Sequence, residues 1–287
     1  MSLSYQEFPV PAATQSTIRC LWRLQDAAPA ATPQTVYPDG CCEVILHLGS
    51  PMQWWHSHSG WETQAAAVFA AQQRSAIRLR ASGPVDCIGL RLQPWAGAAI
   101  AGRALGGMID RIVALDSLAP TTAATLSKHG VASNAPPDAV IELADRLPRC
   151  TPPDSVVQAV LRLQDSQGMQ RIADLARDCQ VSLRTLQVQF NQWVGCSAKE
   201  FARVIRLQAT LRALEDEQQT LTEVALSQGF SDHAHASREL RHLTGEKFSA
   251  LLRALRQDKD SDSAIALAAA FVRGRSLDLD PPKSRVN

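Results

Sequence analysis

Residues 172–190 have the sequence IADLARDCQVSLRTLQVQF, and residues 221–240, LTEVALSQGFSDHAHASREL, repeat its pattern. The offset between the two copies is 49 residues at their start and becomes 50 after the central turn. Each copy predicts a short helix, a turn, and a longer helix that begins after a capping side chain, Ser182 in the first copy and Ser231 or Asp232 in the second. The repeat therefore predicts two helix-turn-helix units in tandem.

The chain around this repeat predicts an all-α region. Between residues 155 and 256, apolar residues recur at steps of three and four and proline is absent, which is typical of consecutive amphipathic helices. Residues 197–215, between the two units, predict one continuous helix about 28 Å long. A spacer of that length suits two helices that enter successive major grooves on one face of DNA, which repeat every 34 Å or so.

The first part of the chain predicts a β-rich domain. Turns containing proline or glycine separate short apolar runs at 43–48, 76–79 and 85–92, a spacing typical of strands, and residues 94–105 favour a short helix. At roughly 150 residues per domain, a chain of 287 residues favours two domains. The predicted fold class is α+β, with an N-terminal β-rich domain, a cupin-like or related barrel, and a C-terminal all-α domain with two helix-turn-helix units.

The composition places the boundaries between these parts. Proline pairs and polar residues mark a linker, and the last thirty residues or so are rich in charge. We predict a β-rich effector-sensing or dimerisation domain at 1–130, a linker with a short helix (139–147) at 131–154, a helix-turn-helix DNA-binding domain at 155–256, and a mobile tail with a weak helix (264–273) at 257–287.

The overall charge does not favour a nucleic-acid partner. The chain has 29 Lys and Arg against 28 Asp and Glu, a net charge of +1. The charge is positive locally, however, because Arg203, Arg206 and Arg212 lie on the connecting helix and residues 201–214 contain no acid.

The cysteines and apolar runs indicate the compartment. Seven cysteines occur without a CxxC pair, the N-terminus lacks a signal-peptide pattern, and the longest apolar stretch has nine residues, against about 20 needed to span a bilayer. We expect a soluble, reduced, cytoplasmic protein.

The second helix of each unit predicts a surface that contacts bases. In such units its N-terminal residues face base edges, and Arg suits guanine, Gln suits adenine, and the Val methyl groups suit the thymine methyl. The helical pattern exposes Arg184, Gln187, Val188 and Asn191 in the first copy, and His233, His235, Ser237, Arg238 and Arg241 in the second.

The helical region resembles the DNA-binding domain of the AraC/XylS family of transcriptional regulators. The resemblance rests on IADLARDCQVSLRTLQVQF, on Gly195, on RLQATLRAL in the connecting helix, and on EVALSQGFSDHAHASREL with Thr244-Gly245; GFSD at 229–232 is the most specific part. It implies base contacts by Arg184, Gln187, Val188, His233, His235 and Arg238. We also expect phosphate contacts by Ser182, Arg203, Arg206 and Arg241.

Four positions depart from the family pattern. A basic residue is usual at Val188, a larger apolar residue at Ala236, Phe at Leu240 and Pro at Phe248. These departures bear on groove contact at residue 188 and on packing in the second unit.

The N-terminal half resembles the β-rich sensory domain attached to one branch of these regulators. The resemblance rests on VYPDGCCEVILHLG at 36–49, VDCIGLRLQPWAGAAIAG at 85–102 and IDRIVALDSL at 109–118. The implied function is a sequence-specific transcription factor that responds to an unknown signal. The implied partners are double-stranded promoter DNA, a small-molecule effector, a second copy of the chain in a homodimer and, for an activator, RNA polymerase. We expect no cofactor and no membrane partner.

Two other functions are left open by the residues. His56, His58 and Glu62 have the spacing HxHxxxE of the first metal motif of cupin barrels, which would suit a metal-dependent enzyme or a metal sensor; unrelated loop histidines are the simpler interpretation. A helical bundle that binds protein is the second alternative.

Cys41 and Cys42 favour buried apolar roles on opposite faces of a strand, and Trp54, Trp55, Trp61 and Trp95 suit either core packing or a ligand pocket. Neither GxSxG nor GxGxxG occurs, so we predict no enzymatic activity.

Overall fold

The computed structural model describes residues 4–8, 10–30, 32–128, 144–215 and 218–257. Its strands are β1 (Ser4–Phe8), β2 (Ile18–Asp26), β3 (Gln34–Val36), β4 (Glu43–His47), β5 (Gln53–His56), β6 (Gly60–Thr63), β7 (Ala67–Ala70), β8 (Ile77–Arg80), β9 (Val85–Leu92) and β10 (Ile112–Ala114). Its helices are α1 (Gly97–Ala101), α2 (Leu115–Leu118), α3 (Pro120–Lys128), α4 (Asp154–Asp165), α5 (Ile172–Asp178), α6 (Leu183–Trp193), α7 (Ala198–Leu214), α8 (Leu221–Ser227), α9 (His233–Thr244) and α10 (Phe248–Gln257). Most of the predicted linker helix and the predicted tail helix lie outside the described residues.

The N-terminal strands form two antiparallel sheets. The larger has six strands in the order β1-β2-β9-β4-β7-β10, and the smaller has four in the order β3-β8-β5-β6. Because alternate side chains of a strand point to opposite faces, β4 places Val44 and Leu46 in the main core and directs Glu43 and His47 to the other face. The N-terminal domain is β-rich, as its sequence predicts.

The predicted strands at 43–48, 76–79 and 85–92 correspond to β4, β8 and β9. The helix expected at 94–105 is shorter, since α1 ends where Gly102 adopts a left-handed conformation with φ +62°. Cys41 and Cys42 lie on opposite sides of the chain, with Cys42 in the main core and Cys41 facing the space between the sheets. All seven cysteines are buried and free.

The helical half contains both helix-turn-helix units, α5-α6 and α8-α9. In the first turn Gln180 has φ +56°, and Gly229, 49 residues later, has φ +72°. A left-handed residue at the same place in each turn gives the chain the same change of direction twice. The connecting helix α7 begins after Ser197, which forms a capping box with Glu200.

The two halves of the protein pack tightly against each other. One hydrophobic cluster runs from Leu21 of the large sheet to Phe190 and Phe201 of the helices. Gly40, at φ +81°, lies so close to α7 that a Cβ atom there would be 2.9 Å from the Phe201 ring. The backbone N–H of Leu105 also donates to the Gln192 carbonyl, at 3.0 Å. The N-terminal domain is therefore in direct contact with the helices of the first unit.

Candidate nucleic-acid interface

The first candidate reading helix is α6. Ser182 Oγ accepts a hydrogen bond from the Thr185 N–H at 3.0 Å, which confirms the predicted N-cap. Leu186 and Phe190 are fully buried on the inner face. The outer face exposes the predicted Arg184, Gln187 and Val188, and Val188 is 57% exposed although it is apolar.

The second candidate reading helix, α9, begins after Asp232, one of the two caps that the sequence predicts. Asp232 Oδ1, rather than Ser231, accepts the His235 N–H at 2.7 Å, and this hydrogen bond lowers the pKa of the Asp232 carboxyl. Ser231 Oγ instead lies 3.1 Å from His235 Nδ1. The Asp232 carboxylate thus holds the first turn of α9.

The two histidines of α9 differ in their surroundings. His233 is exposed, and its ring stacks on Phe248 with centroids 5.5 Å apart. His235 was expected to be exposed, but it is half-buried because its ring packs edge-on against Phe230. Arg238 and Arg241 are exposed, as expected.

The positions that depart from the family pattern pack well in the second unit. Ala236 and Leu240 are completely buried, and Phe248 is 2% exposed in the same hydrophobic cluster. The Phe248 ring also stacks on the ring of His233, so Phe248 helps to hold His233 on α9 in one orientation.

Two of the three arginines of the connecting helix, Arg203 and Arg206, already have protein partners. Arg203 Nε donates to Glu239 of α9 at 2.9 Å. Arg206 Nη2 donates to the Gly168 carbonyl at 2.8 Å, its guanidinium lies 5.6 Å from the centre of the Phe230 ring, and its pKa is lowered by burial. Both residues join α7 to neighbouring parts of the DNA-binding domain, so phosphate contact by either would require it to leave these partners.

The histidines of the HxHxxxE motif lie on the hairpin of β5 and β6. The rings of His56 and His58 are 5.7 Å apart, and Ser59 bonds to both His56 and Glu62. Within the described part of the chain, no group of three or more His, Cys, Asp or Glu side chains is arranged to hold a metal ion. These residues are not favoured as a metal centre.

A cavity of about 100 Å³ lies between the two sheets of the N-terminal domain. Trp22 lines it, whereas Trp54, Trp55, Trp61 and Trp95 do not. Trp95 is instead in the core, where its Nε1 donates to the Ser16 carbonyl, and Trp55 packs edge-on against Trp61 on the hairpin. No pattern in the sequence marks Trp22, since only strand pairing brings it to the cavity.

Comparisons with known proteins identify both halves of the chain. Residues 175–271 match the family model described as a helix-turn-helix domain, and residues 6–114 match a domain of unknown function (DUF6597). No curated protein matches the chain. Among the described residues, no helix is long and apolar enough to cross a membrane.

Three solved structures illustrate the similarity. A probable AraC family transcriptional regulator from Rhodopseudomonas palustris is 31% identical, and the match covers 36% of this chain and 98% of that one, with a TM-score of 0.33. A regulator with an AraC-type DNA-binding domain from Chromobacterium violaceum is 22% identical over 38% of this chain and 96% of that one, with a TM-score of 0.34. ToxT from Vibrio cholerae is 9% identical over 88% of this chain and 97% of that one, with a TM-score of 0.44.

Proposed function

Since the chain belongs to the AraC family of transcriptional regulators and is a DNA-binding regulator of transcription, we propose that α6 and α9 each read bases in the major groove of promoter DNA. The observation that carries the proposal is the outer face of α6. Arg184, Gln187 and Val188 stand exposed at the start of a capped helix whose inner face is fully buried. A helix fixed in this way presents its side chains without further ordering of the backbone.

We assign base contacts to six side chains. Arg184 and Arg238 suit guanine, Gln187 suits adenine, and the Val188 methyl groups suit a thymine methyl. His233 and His235 complete the set; since Nδ1 of His235 is bonded to Ser231, its Nε2 is the atom we assign to a base.

We assign phosphate contacts to Ser182 and Arg241, which are exposed beside the base-reading residues. The sequence also suggests phosphate contacts for Arg203 and Arg206. We assign these two residues instead to holding the two units together, through Glu239, Gly168 and Phe230. This division separates residues that act on DNA from residues that fix the spacing of the reading helices.

The connecting helix supports binding to two successive grooves. Its 17 residues extend about 25 Å, a separation comparable with the 34 Å or so between successive major grooves on one face of a duplex.

The N-terminal domain is proposed to regulate this binding. Its contacts with α7, through Gly40 and Phe201, and with α6, through Leu105 and Gln192, provide a direct route. A small-molecule effector that prefers one arrangement of these contacts would shift the population of DNA-binding molecules. The protein would act in the cytoplasm, without enzymatic activity. A homodimer, and contact with RNA polymerase at activated promoters, are part of the same proposal.

The proposal is tested by selecting bound fragments of the source genome and measuring affinity for them against random duplex at fixed salt. Arg184→Ala and Arg238→Ala should each weaken specific binding by about 1–3 kcal/mol and relax sequence preference at one position. Arg111→Ala removes the same charge from an exposed site in the N-terminal domain and is the matched control. Equal affinity of the unaltered protein for selected and random duplex would refute sequence-specific reading.

A further inference from the structure

The cavity between the two sheets of the N-terminal domain is shared with the DNA-binding domain. Trp22 of β2, Glu43 and His47 of β4 and Arg91 of β9 contribute to its wall, and Gln208 of α7 also lines it. Its volume of about 100 Å³ is of the order of the roughly 150 Å³ cavity that accommodates benzene in an engineered protein, so a compact ligand fits.

The charged groups of the cavity are mostly acidic. Arg91 is 2% exposed, and its guanidinium lies 2.8 Å from Glu43, 3.3 Å from Asp39 and 3.5 Å from Glu7. Three carboxylates thus surround one cation, and two of them, Asp39 and Glu43, line the cavity together with Arg91. Burial raises the pKa of Glu43, which is the response of a carboxyl group in an apolar site with an excess of negative charge.

Gln208, in the wall of the cavity, carries an unpaired acceptor atom. The side chain is 2% exposed, and its Nε2 donates to the Pro38 carbonyl at 2.5 Å, which fixes the orientation of the amide. Its Oε1 is buried and has no hydrogen-bond partner among the described residues. A buried acceptor without a donor is unfavourable, so a ligand that supplies an N–H group there gains affinity.

His47 adds a second acceptor of the same kind. Its Nε2 is 2.9 Å from Gln64 Oε1 and therefore carries the proton, which leaves a lone pair on Nδ1. Nδ1 is buried and is also without a partner in the described part of the chain. His47 thus adds a second acceptor to the wall of the cavity, at the other end of β4 from Glu43.

We propose that this cavity binds a small organic amine in its ammonium form, with an N–H group bonded to Gln208 Oε1, its charge facing Glu43 and Asp39, and its apolar body against Trp22. A carboxylate ligand of the same size is disfavoured, because Gln208 Oε1 cannot donate to it and the guanidinium of Arg91 already faces three carboxylates.

The position of Gln208 gives the site a regulatory consequence, which rests on the proposed function. Gln208 lies on the connecting helix, and it already holds the loop at Pro38. An amine bonded to Gln208 would therefore tie the N-terminal domain to the helix that spaces the two reading helices.

The test measures binding of benzylamine to the full chain by calorimetry and by tryptophan fluorescence, with benzyl alcohol and benzoate as probes of matched size. Saturable binding of benzylamine, at least tenfold tighter than that of the other two probes, is expected. Gln208→Met and Glu43→Gln should each weaken it by about 10- to 100-fold, the effect of losing a hydrogen bond to a charged group. His56→Gln, on the β5-β6 hairpin, is the control and should bind as the unaltered protein does.

Three results would overturn the proposal: no binding of benzylamine, benzoate binding as tight as benzylamine binding, or full affinity in a folded Gln208→Met variant. The comparison of the three probes on unaltered protein decides the matter even where a variant does not fold. Because the assay contains no DNA, its failure would leave sequence-specific reading untouched, and a failure of DNA binding would leave the amine site untouched.

Discussion

Replacement of Arg206 by Met distinguishes a structural arginine from one that contacts DNA. Methionine keeps most of the apolar stem that packs beside Phe230 and removes the guanidinium. The hydrogen bond to the Gly168 carbonyl is of the charged kind, worth about 1.5–3 kcal/mol, and the position over the Phe230 ring adds about 0.5–1 kcal/mol. Relief of the buried charge, whose pKa is lowered by desolvation, offsets part of this loss.

The expected net effect of Arg206→Met is a loss of about 1–2 kcal/mol in the free energy of unfolding, measured by urea denaturation. The dependence of log affinity for DNA on log salt should keep its slope, since no phosphate contact is lost. Arg241→Met is the matched variant: it should leave stability within about 0.5 kcal/mol and lower the salt slope by about 0.9. If Arg206→Met instead lowered the salt slope by about 0.9 and left stability unchanged, the structural assignment would be refuted.

Two further predictions concern the N-terminal domain. Gly89→Ala should lower stability by about 1–3 kcal/mol in urea unfolding, because a Cβ atom there would lie 1.9 Å from the Trp22 ring; unchanged stability would contradict this packing. His47 is kept neutral, since burial lowers its pKa below the usual 6.5 or so, and the unfolded chain therefore takes up the proton more readily as the pH falls. Stability should accordingly decrease below about pH 6.5, and His47→Gln, which can still bond Gln64, should remove that part of the decrease between pH 7.5 and 5.5, whereas His56→Gln should not.

The DNA-binding domain could be predicted because its signals are local. Caps such as Ser182 and the repeated turn at Gln180 and Gly229 act within a few residues of their positions, and they recur at a constant offset. The helical pattern predicts an exposed His235, but the side chain is half-buried. Its partner, Phe230, lies in the turn before α9 and not on the helix itself. Such contacts depend on how the two helices of a unit cross, which residue spacing alone does not determine.

The cavity was not predictable in this way because its wall comes from distant parts of the chain. Trp22 reaches it because β2 pairs with β9, where Gly89 leaves room for the indole. Gln208 reaches it because α7 packs against the loop at Pro38. The sequence marks Gln208 only as one more polar residue on an amphipathic helix, since its partner lies 170 residues away.

The packing of α7 explains how an event in the N-terminal domain would reach both reading helices. Phe201 and Ile205, in its first half, belong to the core shared with the large sheet and with α6. Leu207, Leu211 and Leu214, in its second half, belong to the separate core of the second unit. Gln208 lies where these two cores meet. A shift of α7 at this residue moves one unit relative to the other, because each half of the helix is packed into a different core. A ligand at Gln208 would therefore change the distance between the two reading helices. The change would be measured as a different preferred spacing between the two half-sites in the bound DNA.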